Sequence, residues 1–228
     1  RYRAALVRRN ATLRHAASRA GGEGEIGVWE GALAEAGTII RAARVRWLRR
    51  HGGRIAALCE AMGERERVAA RYTARPEPQG DEGGADTVAE EDRLREQLQR
   101  ALEHDRARDI RRQMTHAGPH RDDLTFSLGG HALRLAGSAG QQRTVAIALR
   151  LVARETLRDA TGRQPIMLLD DPFAELDASR TLRILDLLRD TRAGGSGQMV
   201  FAFPRVGELP SALAALRRLT IRDGVLSE

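Results

Sequence analysis

The chain contains no lysine; all 38 of its basic residues are arginine. That absence removes a whole class of phosphate site. The P-loop, Gly-x-x-x-x-Gly-Lys-Ser/Thr, relies on a lysine ammonium to reach the β- and γ-phosphates of a nucleotide. Neither that lysine nor an equivalent glycine loop occurs here. Cysteine is nearly absent too, and Cys59 alone cannot form an internal disulfide. Its neighbours Ile55, Leu58 and Met62 set it on the apolar face of a helix, where packing rather than nucleophilic chemistry is expected. Aromatic residues make up only 4%. No apolar run approaches the roughly 18 residues of a membrane span, so no membrane partner is expected. No charged-then-apolar leader pattern opens the chain, and a reducing cytoplasm is the expected compartment.

What is present suffices for one large or two small cores: 228 residues, 42% of them apolar. The formal net charge is +7. A GC-rich coding bias accounts for arginine over lysine but not for the surplus of positive charge. That surplus favours nucleic acid, because each phosphate contact releases counterions.

The most informative stretch runs from Pro165 to Asp177. Ile166, Met167, Leu168 and Leu169 read as a short parallel strand buried on both faces. Asp170 and Asp171 would then lie at the carboxyl edge of the sheet, where open α/β sheets bind ligands. Adjacent carboxylates repel, so a cation is the expected partner; a solvated turn ending the strand is the plainer alternative. Upstream, Leu135 to Arg143 opens a long helical pattern with Ser138, Gly140 and Gln141 at its start. Free N–H groups, a hydroxyl and the positive dipole end suit a phosphate there. An ordinary N-cap explains Ser-x-Gly-Gln equally well. Glu175-Leu-Asp177 follows the acid pair.

These segments carry a resemblance. Ser138-Ala-Gly-Gln resembles the ABC-type signature motif, Met167-Leu-Leu-Asp-Asp the strand bearing the Mg²⁺ acid, and Ala174-Glu-Leu-Asp the D-loop. Gly118-Pro-His-Arg-Asp-Asp-Leu124 is a rarer string. It looks like the corresponding segment of the RecF family of bacterial DNA replication and repair proteins. Tyr2-Arg-Ala-Ala-Leu6 and Arg8-Arg-Asn10 resemble the start of that family's arm. The whole chain is similar to the C-terminal two-thirds of such a protein.

In chain order, residues 1–20 have helical spacing and a basic face (Arg1, Arg8, Arg9, Arg19). Gly21 to Gly27 is a glycine-rich break. Trp29, Leu33, Ala36, Ile40, Ala43 and Trp47 form a heptad seam. It faces either the first helix or an oligomer interface. Arg41, Arg44, Arg46, Arg49 and Arg50 lie near that helix's end, complementing its dipole or meeting a phosphate backbone. Of these, Arg41, Arg44, Arg49 and Arg50 are the candidates for DNA contact. His51-Gly-Gly53 is expected to end the helix, with a short one over Arg54 to Met62. Val68, Ala70 and Tyr72 alternate as a strand, Arg75 to Ala85 reads as a linker, and helix resumes from Thr87 with Leu94, Leu98, Ala101 and Leu102 on one side. Leu124, Phe126 and Leu128 begin a hairpin that turns at Gly129-Gly130 and returns over Ala132 to Leu135. His120 reads as structural, and Arg121, Asp122 and Asp123 as knitting the ATPase core. The signature helix spans Gln141 to about Asp159, with Val145, Leu149, Val152 and Leu157 for the core. A helix over Ser179 to Arg189, a buried strand from Gln198 to Phe203, a helix from Leu209 to Leu216 and a terminal strand turning at Asp223-Gly224 complete the chain. Alternating strands and helices predict an α/β fold with a parallel or mixed sheet covered on both faces. The expected division is a helical, short coiled-coil arm over residues 1–111 and the C-terminal part of an ABC-ATPase-like core over 112–228.

The resemblance implies a head-to-tail homodimer that sandwiches two ATP molecules. Asp170 would hold Mg²⁺ and Asp171 would orient the attacking water. Ser138, Gly140 and Gln141 would clamp the γ-phosphate from the other copy, and the D-loop residues Glu175 and Asp177 would lie near the interface. It further implies a weak ATPase that binds gapped or junction DNA, works with recombination mediator proteins and resides with the nucleoid. The P-loop would come from a preceding segment of the same polypeptide or from a partner. Three positions depart from the family pattern: Ala139 replaces glutamine, Ala174 replaces serine, and Ala202 or Phe203 stands where a polar switch residue is usual. Two other classes share some of these motifs. A chromosome ATPase of the SMC/Rad50 type would need far longer coils, and an ABC transporter subunit would not carry the arginine-rich arm.

Overall fold

A computed structural model describes residues 1–18, 23–75, 88–193 and 197–227. The chain divides into two units. One comprises Arg1–Gly53 and Ala69–Ser127, the other Arg54–Val68 and Leu128–Glu228. The expected linker at 75–85 falls almost wholly outside the described residues.

In the first unit, α1 (Tyr2–Ser18), the first part of α2 (Glu23–Ala61), α3 (Val88–His104) and α4 (Arg106–Arg112) form a helical assembly. Its apolar centre joins Ala5, Leu33, Ala34, Leu98, Leu102 and Ala117, flanked by Tyr2, Leu6 and Trp29. The heptad expected on α2 is out of phase with what is buried. Ile26, Glu30, Leu33, Ala34, Thr38, Arg41 and Ala42 face inward. Ile40, Ala43 and Trp47 instead line an open groove of about 610 Å³, together with Ile39, Tyr72 and Leu124. Two charged pairings draw α2 round to this phase.

The first is centred on Arg9, which is wholly buried rather than part of a basic face. Its guanidinium donates to Asp109 (2.7 Å), Thr115 (2.9 Å), Glu30 (2.9 Å) and the Leu102 carbonyl (3.3 Å). Arg106 closes the other side of Glu30. The second pairing is a fork from Arg41 to both oxygens of Asp122, at 2.8 and 2.9 Å. Both side chains are essentially inaccessible, so only a bidentate, hydrogen-bonded geometry offsets their desolvation.

No break occurs at His51-Gly-Gly53: α2 continues through both glycines to Ala61. Two helical glycines cost about 2 kcal/mol. Burial of Ile55, Leu58, Cys59 and Met62 just beyond them offsets that. Likewise Gly24 and Gly27 lie inside α2 rather than in a break.

The strands β1 (Val68–Thr73) and β2 (Asp123–Leu128) fall almost wholly in the first unit, and the two-residue β3 (His131–Ala132) falls in the second. The return strand expected over Ala132 to Leu135 is a single helical turn instead, α5 (Leu133–Ala136). Within the second unit, α6 (Ala139–Thr161) precedes β4 (Met167–Asp170), α7 (Ala178–Ala193) and β5 (Met199–Ala202). β4 and β5 pair in parallel, Met167 with Met199 through Asp170 with Ala202. The strand is not buried on both faces. Met167 and Leu169 are covered, whereas Ile166, Leu168 and Val200 are exposed on this chain. The helix expected over Leu209 to Leu216 is only a short 3-10 turn, Ser211–Leu213. The chain then folds into the antiparallel hairpin β6 (Thr220–Arg222) and β7 (Val225–Ser227). Its turn holds Asp223 and Gly224 at φ 51° and 79°, the left-handed pair that a two-residue hairpin requires.

Candidate functional site

Ser138 is the N-cap of α6, and its hydroxyl oxygen accepts the Gln141 N–H at 3.2 Å. In return the Gln141 side-chain oxygen accepts the Ser138 N–H at 2.9 Å, completing a reciprocal capping box. Gln142 N–H is taken by the Ser138 carbonyl. The amides of Ala139 and Gly140 therefore remain at the open helix end, beside the exposed Ser138. The Ser138 hydroxyl hydrogen also stays free to donate. Together these groups and the dipole of a 23-residue helix suit an anion.

Gln141 is aimed differently from expectation. Its oxygen is held by the cap, and its amide nitrogen donates inward to Glu64 at 3.4 Å. Gly140 also has a local reason to be glycine. A β-carbon there would sit 2.8 Å from the Glu175 carbonyl oxygen, so the first turn of α6 lies directly on the backbone of the turn at Glu175. Glu175 is exposed and holds a positive φ of 62°. Asp177 is also exposed and caps α7 through the Arg180 N–H at 2.8 Å. That bond, followed by the Arg180 charge, holds its carboxyl below the usual range.

Asp170 ends β4 at the carboxyl edge and is exposed. Neither it nor Asp171 forms an ion pair among the described residues. Asp171 adopts φ 42°, a conformation uncommon for a residue with a side chain. Its backbone is pinned on both sides: its N–H donates to the Ala202 carbonyl at 2.9 Å, and its carbonyl accepts from Arg143 of α6. No group of three or more metal-ligating side chains occurs among the described residues. Two unpaired carboxylates at a strand end still fit Mg²⁺, which usually takes one or two protein carboxylates and completes its shell with phosphate and water.

Ala202 lies opposite Asp170 in the ladder and is exposed. Phe203 turns into a stack with Phe173 and Phe201, with ring centroids 6.0 and 6.4 Å away. Of the two positions at which a polar switch residue is expected, Ala202 is therefore the one beside the acid strand.

The string from Gly118 to Asp122 holds the first unit together rather than the ATPase core. Gly118 has φ 128°, and a β-carbon there would meet the Tyr2 hydroxyl. The Pro119 carbonyl accepts from Arg44 at 2.7 Å. His120 Nε2 lies 3.1 Å from the Thr115 carbonyl and must carry the proton there. Its Nδ1 therefore accepts the Tyr2 hydroxyl at 2.7 Å. Desolvation, the largest effect, lowers the His120 pKa, in keeping with a neutral, structural ring. Asp122 accepts from Arg41 and from Tyr72.

Cys59 is fully buried, and its thiol is pushed to about 12 by burial, with Glu64 adding to the effect. It is packing, not a nucleophile.

The chain is 34% identical over 99% of its length to the DNA replication and repair protein RecF of Magnetococcus marinus. It is 35% identical over 93% to that of Moorella thermoacetica and 38% identical over 99% to that of Frankia alni. This chain belongs to the RecF family. It spans about half the length of these RecF relatives: 56%, 52% and 59% in the same order. A solved structure of the recombination mediator protein RecF-ATPrS in the RecFOR pathway superposes with a TM-score of 0.74 and 27% identity. It covers 99% of this chain and 56% of that one. The RecF-ATP structure gives 0.73 at 26% identity. No model of a known protein family matches the chain. The fold is thus the α/β, ABC-ATPase-like fold of RecF, with a helical arm.

The arginines expected to contact DNA fare unequally. Arg41 is buried on Asp122 and cannot reach a ligand without unfolding its surroundings. Arg44 is exposed but tied to Pro119. Arg49 pairs with Glu90 at 2.8 Å. Arg50 is exposed. Two residues near the site escape sequence reasoning altogether. Glu64 and Arg180 are brought to α6 by the fold; an arginine three positions after an acid is too common a pattern to have marked the latter.

Proposed function

We propose that this chain is the signature-bearing part of an ATP-controlled DNA-binding protein in replication and recombinational repair. In this reading it works in the cytoplasm, at the nucleoid, with recombination mediator proteins. The observation that carries the nucleotide reading is the pairing of two complementary groups in one unit. An α6 start with unspent N–H groups at Ala139 and Gly140 suits the γ-phosphate of ATP. An exposed strand end with unpaired Asp170 and Asp171 suits Mg²⁺.

Asp170 would hold the cation, which would neutralise phosphate charge when bound. Asp171, fixed in its unusual backbone conformation, would orient water. Ser138 and the two free amides would meet the γ-phosphate bound to a second copy, so ATP would join two copies and hydrolysis would release them. Asp177 and Glu175 would lie close to that interface. Slow turnover follows from a short aspartate in the water-orienting position and from Ala202 beside it.

DNA, at gaps or single-strand/double-strand junctions, would meet the arginine surplus; Arg44, Arg49 and Arg50 remain the candidates on α2. In the full-length protein, light scattering should show dimers with Mg·ATP and monomers without it. DNA affinity should fall steeply with salt. A monomer at saturating ATP, or a flat salt response, would count against the reading.

A further inference from the structure

We infer that Glu64 and Arg180 are positioning residues that lock the signature turn to the D-loop, so that both present themselves to a second copy as one surface. The inference rests on the composite-pocket reading above and adds the device that makes the surface rigid.

Glu64 is buried, with its side chain 4% exposed. It lies three residues beyond α2, after Gly63, whose φ of 97° turns the chain there. One carboxylate oxygen accepts the N–H of Arg65 at 3.0 Å and the side-chain amide of Gln141 at 3.4 Å. The other lies 3.3 Å from an Arg180 nitrogen. That second contact is a charge pairing without good hydrogen-bond alignment, and the oxygen has no other partner. A buried carboxylate in this state is held by Arg180 and strongly disfavours its loss.

Arg180 reaches three ways. Besides Glu64, it donates to the Thr144 hydroxyl of α6 at 3.2 Å and lies 3.6 Å from the Asp177 carboxylate. Thr144 in turn donates to the Gly140 carbonyl at 2.8 Å. The chain of contacts therefore runs from the D-loop acid through one guanidinium to the first turn of α6. From Glu64 it continues through Gln141 to the backbone of Ser138. Gln141 is held at both ends of its amide: its oxygen caps Ser138 and its nitrogen faces Glu64. Without Glu64 the Gln141 amide loses the acceptor that fixes its orientation, and the Ser138 turn loses its support. None of these side chains needs to touch nucleotide.

The test is ATP-dependent dimerisation of the full-length protein, with binding of a fluorescent ATP analogue to the monomer and the melting temperature measured alongside. Glu64→Gln keeps the shape but removes the charge. It should raise the ATP concentration for half-maximal dimerisation about tenfold while leaving monomer nucleotide affinity within twofold. Glu64→Asp should recover part of the loss, and Glu64→Gln combined with Arg180→Met should be no worse than Arg180→Met alone. If Glu64→Gln lowers the melting temperature enough to obscure this, Arg180→Lys, which keeps the charge but not the fork, serves in its place. Ser138→Arg is the control. If it abolishes dimerisation while the Glu64 and Arg180 variants dimerise like the parent, the inference is overturned and the pocket reading stands. If Ser138→Arg also dimerises normally, both fall.

Discussion

Ala202 stands directly across the parallel ladder from Asp170. The carboxylate edge therefore has a methyl group for its neighbour, and in the proposed reading the task of aligning water falls to Asp171. Placing a polar side chain at that position, as in Ala202→His, should raise ATP turnover of the full-length protein by roughly 10²-fold, the low end of what one positioned acid–base group contributes. Single-turnover kinetics would check it, and an unchanged rate would show that Ala202 does not border the reacting phosphate.

Arg9 holds two buried carboxylates at once. Arg9→Met should destabilise the protein by about 3–5 kcal/mol, because two buried carboxylates would lose their shared guanidinium, leaving Glu30 with Arg106 alone and Asp109 with His116. Urea denaturation followed by circular dichroism measures this directly. A loss below about 1 kcal/mol, typical of surface pairs, would mean the cluster is solvated in solution.

How far the residues announced this structure depends on the range of the interactions. Ser138 and Gln141 stand three apart and form their cap locally, so the start of α6 was legible. So was the end of β4, where an apolar run meets two acids. The phase of α2 was not. Glu30, Thr38 and Arg41 are polar and would normally mark an outer face. They are buried because partners remote in sequence, such as Asp122, 81 residues after Arg41, supply charge and hydrogen bonds that α2 alone does not contain. Gly52 and Gly53 misled for a related reason: their helical cost is local, whereas the packing beyond them is not. The groove at Ile40, Ala43 and Trp47 is what remains of the apolar seam once the buried face has rotated past it.

Acid should weaken the same cluster. Burial pushes the Glu30 carboxyl up, but hydrogen bonds from Arg106 and Arg9 outweigh it, and its pKa ends below the ordinary 4.5. A lowered folded pKa gives stabilisation that is complete above the unfolded value and is lost as pH falls through the folded one. Asp109 and His116 share the cluster, so the comparison must isolate Glu30. Melting temperature should fall on acidification below about pH 4.5, and Glu30→Gln should flatten that fall while lowering stability at neutral pH. An unaltered acid slope in the variant would remove Glu30 from the account.

Gly140 tolerates no side chain without movement. In Gly140→Ala the new methyl would meet the Glu175 carbonyl at 2.8 Å, and displacing backbone costs roughly 1–3 kcal/mol. The melting temperature should drop and ATP-dependent dimerisation should weaken together. A variant as stable as the parent would show that the turn at Glu175 yields freely.

The most direct measurement mixes two inactive partners. Ser138→Arg blocks the turn proposed to face phosphate and Asp170→Asn removes the acid proposed to hold the cation, so each full-length variant alone should lack ATP turnover. If one copy's turn completes the other copy's acid site, a mixture contains dimers with one intact pocket, and turnover returns. If mixing restores nothing, although the variants fold and associate, the two groups do not serve one pocket across two copies, and the central claim is contradicted.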